Sequence, residues 1–183
     1  MNFFRTIPVF VLFSLCAAYS YADRAAVTHN FSSLIDAGKL EYKNSYKTGI
    51  TSLLTYTCSN GAEFGLDPFN ALGYKEHSIN LQNTNEFVTT TVVDSLAGIQ
   101  LQYLKRSGYA PSIELRLSRD SVHWSDPIDA TSTTSGSTSG GYTYDFVPGR
   151  YFVRLTSKSD NDVSITQLKY FFGWCNCFLY IPE

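Results

Sequence analysis

Residues 112–118 read Ser-Ile-Glu-Leu-Arg-Leu-Ser, and in them Ile113, Leu115 and Leu117 alternate with Glu114, Arg116 and Ser118. Successive side chains of a strand point to opposite faces, so this period of two places aliphatic groups on one face and polar groups on the other. The same alternation recurs on both sides of this stretch. Ile99, Leu101 and Tyr103 alternate with Gln100 and Gln102. Tyr142, Tyr144 and Phe146 alternate with Thr143 and Asp145, and Tyr151, Val153 and Leu155 form a further apolar face with Phe152 opposite. Phe87–Val93 (FVTTTVV) is rich in β-branched residues, whose stiff χ1 suits a pleated surface. Turn residues separate these runs: Asn60-Gly61, Gly73, residues 83–85, Ser107-Gly108, Pro111, Pro148-Gly149 and residues 159–161. Short strands at intervals of about 8–12 residues predict an all-β fold, an antiparallel β-sandwich of jelly-roll type.

Three local features refine that expectation. Val163 and Ile165 share a face, whereas Leu168, Tyr170 and Phe172 have the opposite parity. One regular strand cannot bury both sets, and a β-bulge near Thr166-Gln167 repairs the register. A single short N-terminal helix is expected through Leu34, Ile35 and Ala37, capped by Ser32 or Ser33 and ended by Gly38. Residues 131–141 (TSTTSGSTSGG) contain only Ser, Thr and Gly. The strands after them need partners from the earlier part of the chain, so the segment reads as a mobile hairpin connection within one domain.

Composition sets the bounds. The chain has 183 residues, with 14 Lys+Arg against 16 Asp+Glu. Charged residues are 16% of it and aromatic residues 15%, against a usual charged share of ~25%. That is enough apolar material for one full core, which excludes global disorder. The near-neutral balance lacks the basic stripe with which nucleic-acid binders neutralise phosphates.

Residues 1–22 read as a secretory signal peptide. Arg5 precedes the apolar stretch Ile7–Ala18, and Ser20 and Ala22 are the small residues of a cleavage site. The stretch is too short for a membrane span. Residues 23–183 are then a single β-sandwich domain, and the product is expected to be secreted, at a bacterial cell surface or in the periplasm. Cys16 invites acylation, but Leu15 stands where a lipoprotein peptidase requires a small residue. Cleavage leaves Cys58, Cys175 and Cys177 in an oxidising compartment. The expected disulfide joins Cys58 to Cys175 or Cys177 and closes a loop of more than a hundred residues. In the chain-entropy model such a closure stabilises by about 4–5 kcal/mol. The single residue between Cys175 and Cys177 does not match structural zinc spacing.

Catalytic patterns are missing. Gly136 and Gly140 have the spacing of a serine-hydrolase elbow, but Thr138 sits at the nucleophile position. His29, His77 and His123 do not pair at metal-ligand spacing, and each reads as a surface or turn residue. No cofactor is expected. Asp126 and Asp129, and Asp160 with Asp162, read as turn residues; calcium on Asp160 and Asp162 would need the hard-oxygen loop that the sequence lacks. The positive signal is the aromatic excess. Tyr and Trp rings offer a flat apolar face with a polar handle, which suits stacking on sugar rings. The candidates for ligand contact are Tyr74, Tyr109, Trp124, Tyr142 and Tyr144. The apolar C-terminal segment Tyr170–Ile181 either docks as a strand or meets a protein partner.

Residues 112–128, SIELRLSRDSVHWSDPI, resemble a strand–turn–strand of secreted modules of gut-type Bacteroidetes, in which an S-x-D-G-x-x-W turn joins two sandwich strands. Ser121 stands where that turn usually has Gly. Gly149–Tyr170 is similar to the penultimate and last strands of such modules, and HNFSSLIDAGKL (29–40) to their opening strand and helix. The resemblance implies a jelly-roll fold similar to carbohydrate-binding or adhesion modules, and it implies no catalytic residues. The expectation is a secreted, non-catalytic binding module that contacts a glycan through exposed aromatics. A structural or protein-interaction component of the bacterial surface and a small glycoside-active enzyme are the alternatives.

Overall fold

The computed structural model describes residues 25–66, 76–105, 111–131, 139–160 and 163–173. Within them the chain forms β1 (Ala26–Asn30), α1 (Phe31–Asp36), β2 (Glu41–Lys43), β3 (Thr48–Ile50), β4 (Thr55–Ser59), β5 (Glu63–Leu66) and β6 (His77–Leu81). There follow β7 (Phe87–Thr90), β8 (Val93–Lys105), β9 (Ile113–Ser118), β10 (Ile128–Asp129), β11 (Ser139–Ser157) and β12 (Val163–Phe172). The strands build two antiparallel layers. Sheet A runs β5–β6–β12–β8–β11, with β1 pairing the C-terminal part of β12. Sheet B runs β2–β3–β4–β7–β11–β9–β10. The fold is thus the all-β, jelly-roll-like sandwich that the alternation predicts, with one short helix.

β11 belongs to both layers. Its first half pairs β8 in sheet A, and its second half pairs β7 and β9 in sheet B. The sequence reading puts a turn at Pro148-Gly149, whereas the backbone continues through it as an irregular stretch of strand. Register shifts between Asp145 and Gly149 and again between Gly149 and Tyr151 mark the place where the strand changes sheet. Proline has no N–H to give to a ladder, so it is tolerated where regular pairing is interrupted. The expected hairpin around 131–141 is also corrected. β10 lies beside β9 in sheet B while Ser139–Asp145 lie beside β8 in sheet A, so this connection links two sheets. Likewise FVTTTVV is divided between β7 and β8, one strand in each layer: Thr91 is still held to β4, donating its N–H to the Thr55 carbonyl at 2.8 Å, and β8 begins in the other sheet at Val93.

The predicted bulge is present. The β12–β8 register steps from Ile165–Tyr103 to Gln167–Gln102, leaving Thr166 as the extra residue. Val163, Ile165, Leu168 and Tyr170 are consequently all buried. Helix α1 begins at Asn30 rather than at a serine, because the Asn30 side chain accepts from the Ser33 N–H at 2.9 Å. It ends as expected at Gly38, with φ +63°. There Gly38 N–H donates to Ile35 and Lys39 N–H to Leu34, the paired bonds of a Schellman ending.

The inward-facing residues of both sheets, including Ile99, Leu101, Tyr103, Ile113, Leu115, Val153 and Leu155, join Phe31, Tyr56 and Phe64 in one core. Each fully buried large apolar side chain stabilises by about 1.5–3 kcal/mol. The core is not purely apolar. The Tyr170 hydroxyl donates to the Tyr56 hydroxyl at 3.1 Å, and Tyr56 is hydrogen-bonded in turn to His29 Nδ1. His29 and Tyr170 stand on sheet A and Tyr56 on sheet B, so this chain of polar groups ties the layers together. His29 is therefore a core residue with 4% exposure rather than a surface or turn residue. Burial lowers its pKa and keeps the ring neutral.

Candidate functional site

Sheet B turns its polar face outward. In β9 and β11 the residues of opposite parity to the core set are Glu114, Arg116, Arg154 and Thr156, and the ladder places Arg154 opposite Arg116 and Thr156 opposite Glu114. β7 adds Phe87 and Thr89, opposite Thr156 and Arg154. This face carries a shallow depression of about 230 Å³, bordered by Phe87, Glu114, Arg116, Trp124, Arg154 and Lys158.

Trp124 reaches the depression through the turn that follows β9. The Asp120 carboxylate accepts from the His123 ring at 2.7 Å, the His123 N–H at 2.8 Å, the Val122 N–H at 2.9 Å and the Ser118 hydroxyl at 3.0 Å. Those bonds, the His123 ones foremost, hold its carboxyl well below the usual carboxylate range. Trp124 then bridges back to Ser118, and the Ser125 N–H donates to the Leu117 carbonyl at 2.8 Å. The S-x-D-x-x-x-W spacing thus has a mechanical meaning: one carboxylate gathers the turn and presents the indole at the edge of the sheet. Ser121 takes the left-handed conformation there, with φ +63°, where glycine is the natural residue.

Arg154 is the centre of the arrangement. Its guanidinium carbon lies 3.9 Å from the centroid of the Trp124 ring and 4.5 Å from that of Phe87. Its Nε donates to Thr89 Oγ1 at 3.4 Å. Burial, and then the neighbouring Arg116 cation, lower its pKa. Glu114 accepts from Arg116 Nη2 at 3.3 Å and lies 4.0 Å from Lys158 Nζ. Asn60 and Asn85, both left-handed, also line the depression, with Asn60 Nδ2 donating to the Asn85 carbonyl at 3.1 Å.

Of the residues expected at a ligand, Trp124 is half-buried and faces this depression. Tyr142 and Tyr144 come together elsewhere. Their rings are nearly parallel, 12° apart with centroids at 6.4 Å, and continue through Phe146 to Tyr151. All four are partly buried against the core, and none borders the Trp124 depression. Tyr74 and Tyr109 lie outside the described residues, as do Cys16, Asp162, Cys175, Cys177 and the segment from residue 174. Among the described residues Cys58 is a buried free thiol of the core, pushed up to about 12 by burial. Asp160 accepts from the Thr84 N–H and hydroxyl, at 2.9 and 2.6 Å, and Asp129 from the Thr131 N–H at 2.9 Å. Both serve as turn staples. No group of metal ligands occurs among the described residues, and no helix there is long and apolar enough to cross a membrane.

The sequence reading did not single out Arg154, Arg116 and Phe87, which border this depression. The outward parity of the two arginines was visible, but their juxtaposition depends on the β9–β11 register, which no local pattern reports.

No family model matches the chain, and no characterised protein is detectably similar in sequence. Among solved structures, the K2 cleaved adhesin domain of Lys-gingipain is 10% identical, with a TM-score of 0.54 over 80% of this chain and 99% of that one. That likeness shows a shared sandwich fold. A carbohydrate-binding module from Clostridium stercorarium, in complex with cellobiose, is 15% identical with a TM-score of 0.44, over 64% of this chain and 87% of that one.

Proposed function

We propose that this chain is a non-catalytic binding module that contacts a glycan through the depression on the outer face of sheet B. The observation that carries the reading is the stack of Phe87, Arg154 and Trp124, a half-buried indole held in place by a guanidinium beside exposed hydrogen-bonding groups. Sugar recognition needs that combination: an apolar ring for the pyranose face and donors and acceptors for its hydroxyls. Glycoside hydrolysis needs two carboxylates flanking the bond, and among the described residues Glu114 is the single carboxylate bordering this depression, already engaged by Arg116 and Lys158. We also infer that residues 1–22 direct export, which suits a module that meets glycans outside the cell.

The test is an NMR titration of the labelled protein with neutral and acidic oligosaccharides. The expected shift changes cluster at residues 85–87, 114–116, 124 and 154–158. Trp124→Ala is expected to weaken binding about tenfold or more while leaving the fold intact. Changes confined to Tyr142, Tyr144 and Tyr151, or unaltered binding by Trp124→Ala, would move the site to the tyrosine ladder and overturn this assignment.

A further inference from the structure

We propose that the ligand of this depression is an acidic sugar, a pyranose bearing a carboxylate or a sulfate, with Arg154 as its anion anchor. The inference rests on the glycan reading above and narrows it.

The charge balance of the depression differs from that of the chain. The protein carries a formal net charge of −2, yet among the described residues Arg116, Arg154 and Lys158 border the depression with Glu114 as their one carboxylate. Glu114 is committed to Arg116 at 3.3 Å and lies within reach of Lys158 at 4.0 Å. Among the described residues no carboxylate is within salt-bridge distance of Arg154, and its guanidinium donates through Nε to Thr89. The Nη groups are the donors assigned to the ligand.

The register sharpens the point. Arg154 sits directly opposite Arg116 on neighbouring strands, and like charges so placed repel one another. An oxyanion set between them converts that repulsion into two attractions. A planar guanidinium offers parallel N–H groups that match a carboxylate or a sulfate. Its plane is already fixed by Trp124 and Phe87, so little side-chain freedom is lost when the anion arrives. The guanidinium covers one face of the indole, so the sugar ring that carries the charge packs against the opposite face or the edge of Trp124. Anion anchor and stacking platform adjoin, which selects a charged saccharide over a free anion or a neutral sugar.

The experiment measures affinities of the purified protein for tetragalacturonate, a sulfated galactan tetrasaccharide and neutral galactotetraose by calorimetry, at low and at moderate salt. At least one charged oligomer is expected to bind about tenfold or more tighter than the neutral one at low salt. That advantage shrinks as salt screens it. The identity of the tighter oligomer tells carboxylate from sulfate. Arg154→Gln is expected to bring the charged oligomer down to the neutral level. Arg154→Lys keeps the charge but not the planar fork, and restores only part of the preference. Circular dichroism checks that each variant is folded, and Arg116→Gln, on the outer face of the same sheet, provides a second reading of the charge. Equal affinity for charged and neutral oligomers, or a preference that survives Arg154→Gln, overturns the acidic-sugar inference and leaves the glycan reading in place. Failure of all three oligomers to perturb Trp124 or residues 154–158 overturns both.

Discussion

The His29–Tyr56–Tyr170 chain makes a prediction whose order of magnitudes follows from who donates to whom. Tyr170 donates its hydroxyl proton to the Tyr56 oxygen, so the Tyr56 proton goes to His29 Nδ1. Tyr56 and Tyr170 are 0% exposed, so water cannot replace a missing partner. Tyr56→Phe preserves the edge-to-face packing against Phe31 and Phe64 but removes the middle of the chain. It leaves both His29 Nδ1 and the Tyr170 hydroxyl unpaired. An orphaned buried polar group costs about 1–3 kcal/mol, so the two orphans put this variant about 2–6 kcal/mol below wild type. Tyr170→Phe removes only the end of the chain. Tyr56 still donates to His29, so the expected loss is about 1 kcal/mol, that of one net hydrogen bond.

The double variant discriminates further. Removing both hydroxyls leaves His29 as the single orphan, so it should be no less stable than Tyr56→Phe alone. The sum of the two single losses then overestimates the double loss by about 1 kcal/mol or more, the signature of a shared network. Urea titration followed by tryptophan fluorescence gives all the numbers, and thermal melts report the same order at about 2–4 °C per kcal/mol for a domain of this size. Strict additivity, or a Tyr170→Phe loss as large as that of Tyr56→Phe, would refute the directional chain and with it the claim that it ties the two sheets.

Stability should fall on mild acidification. Burial lowers the His29 pKa below the ordinary 6.5, so the unfolded chain takes up a proton first as the pH drops. The stability contributed by the neutral ring is whole above about 6.5 and is lost as the pH falls toward the folded value, visible as a falling melting temperature. If His29→Phe keeps the same decline across that range, another group is responsible. Ser121→Gly should stabilise by about 0.5–1 kcal/mol, the relief of a left-handed residue less the added freedom of the unfolded chain. Loss of stability would mean that the serine side chain has a role at the turn. Gly49→Ala should destabilise by about 1–3 kcal/mol, because its new methyl would meet Phe64 Cζ at 2.5 Å across the sandwich. A neutral effect in urea would show that the ring can step aside. Cys58, raised to about 12 by burial, should resist thiol reagents at pH 8 until the protein unfolds. A non-reducing digest that links Cys58 to Cys175 or Cys177 would replace this free thiol by the expected bridge.

What the sequence disclosed and what it withheld divide along a physical line. Alternation in 112–118 reports which side of its own strand each residue takes, and Ile113, Leu115 and Leu117 are buried accordingly. The parity break in 163–172 forced a bulge, because two buried sets cannot share a face without an extra residue, and Thr166 is that residue. Gly38 ends the helix because the left-handed φ of its position disfavours a side chain. All three inferences concern a residue and its immediate neighbours. The missed features concern distant pairs. Pro148-Gly149 reads as a turn in isolation and becomes the crossing of β11 only because β8 lies on one side of it and β7 and β9 on the other. His29 looks like a surface residue until Tyr56 arrives from the opposite sheet. The same holds for the site. The place of Trp124 was legible through its own turn, whereas the role proposed for Arg154 depends on Phe87, Thr89 and Arg116, which reach it through the ladder. A binding surface assembled on the outer face of a sheet is a property of register, and register is fixed by the core on the other side. The residues that hold Ile113, Leu115, Val153 and Leu155 inward therefore set the spacing between guanidinium and indole, so a one-residue slip of β9 against β11 would dissolve the site while leaving every one of its side chains present.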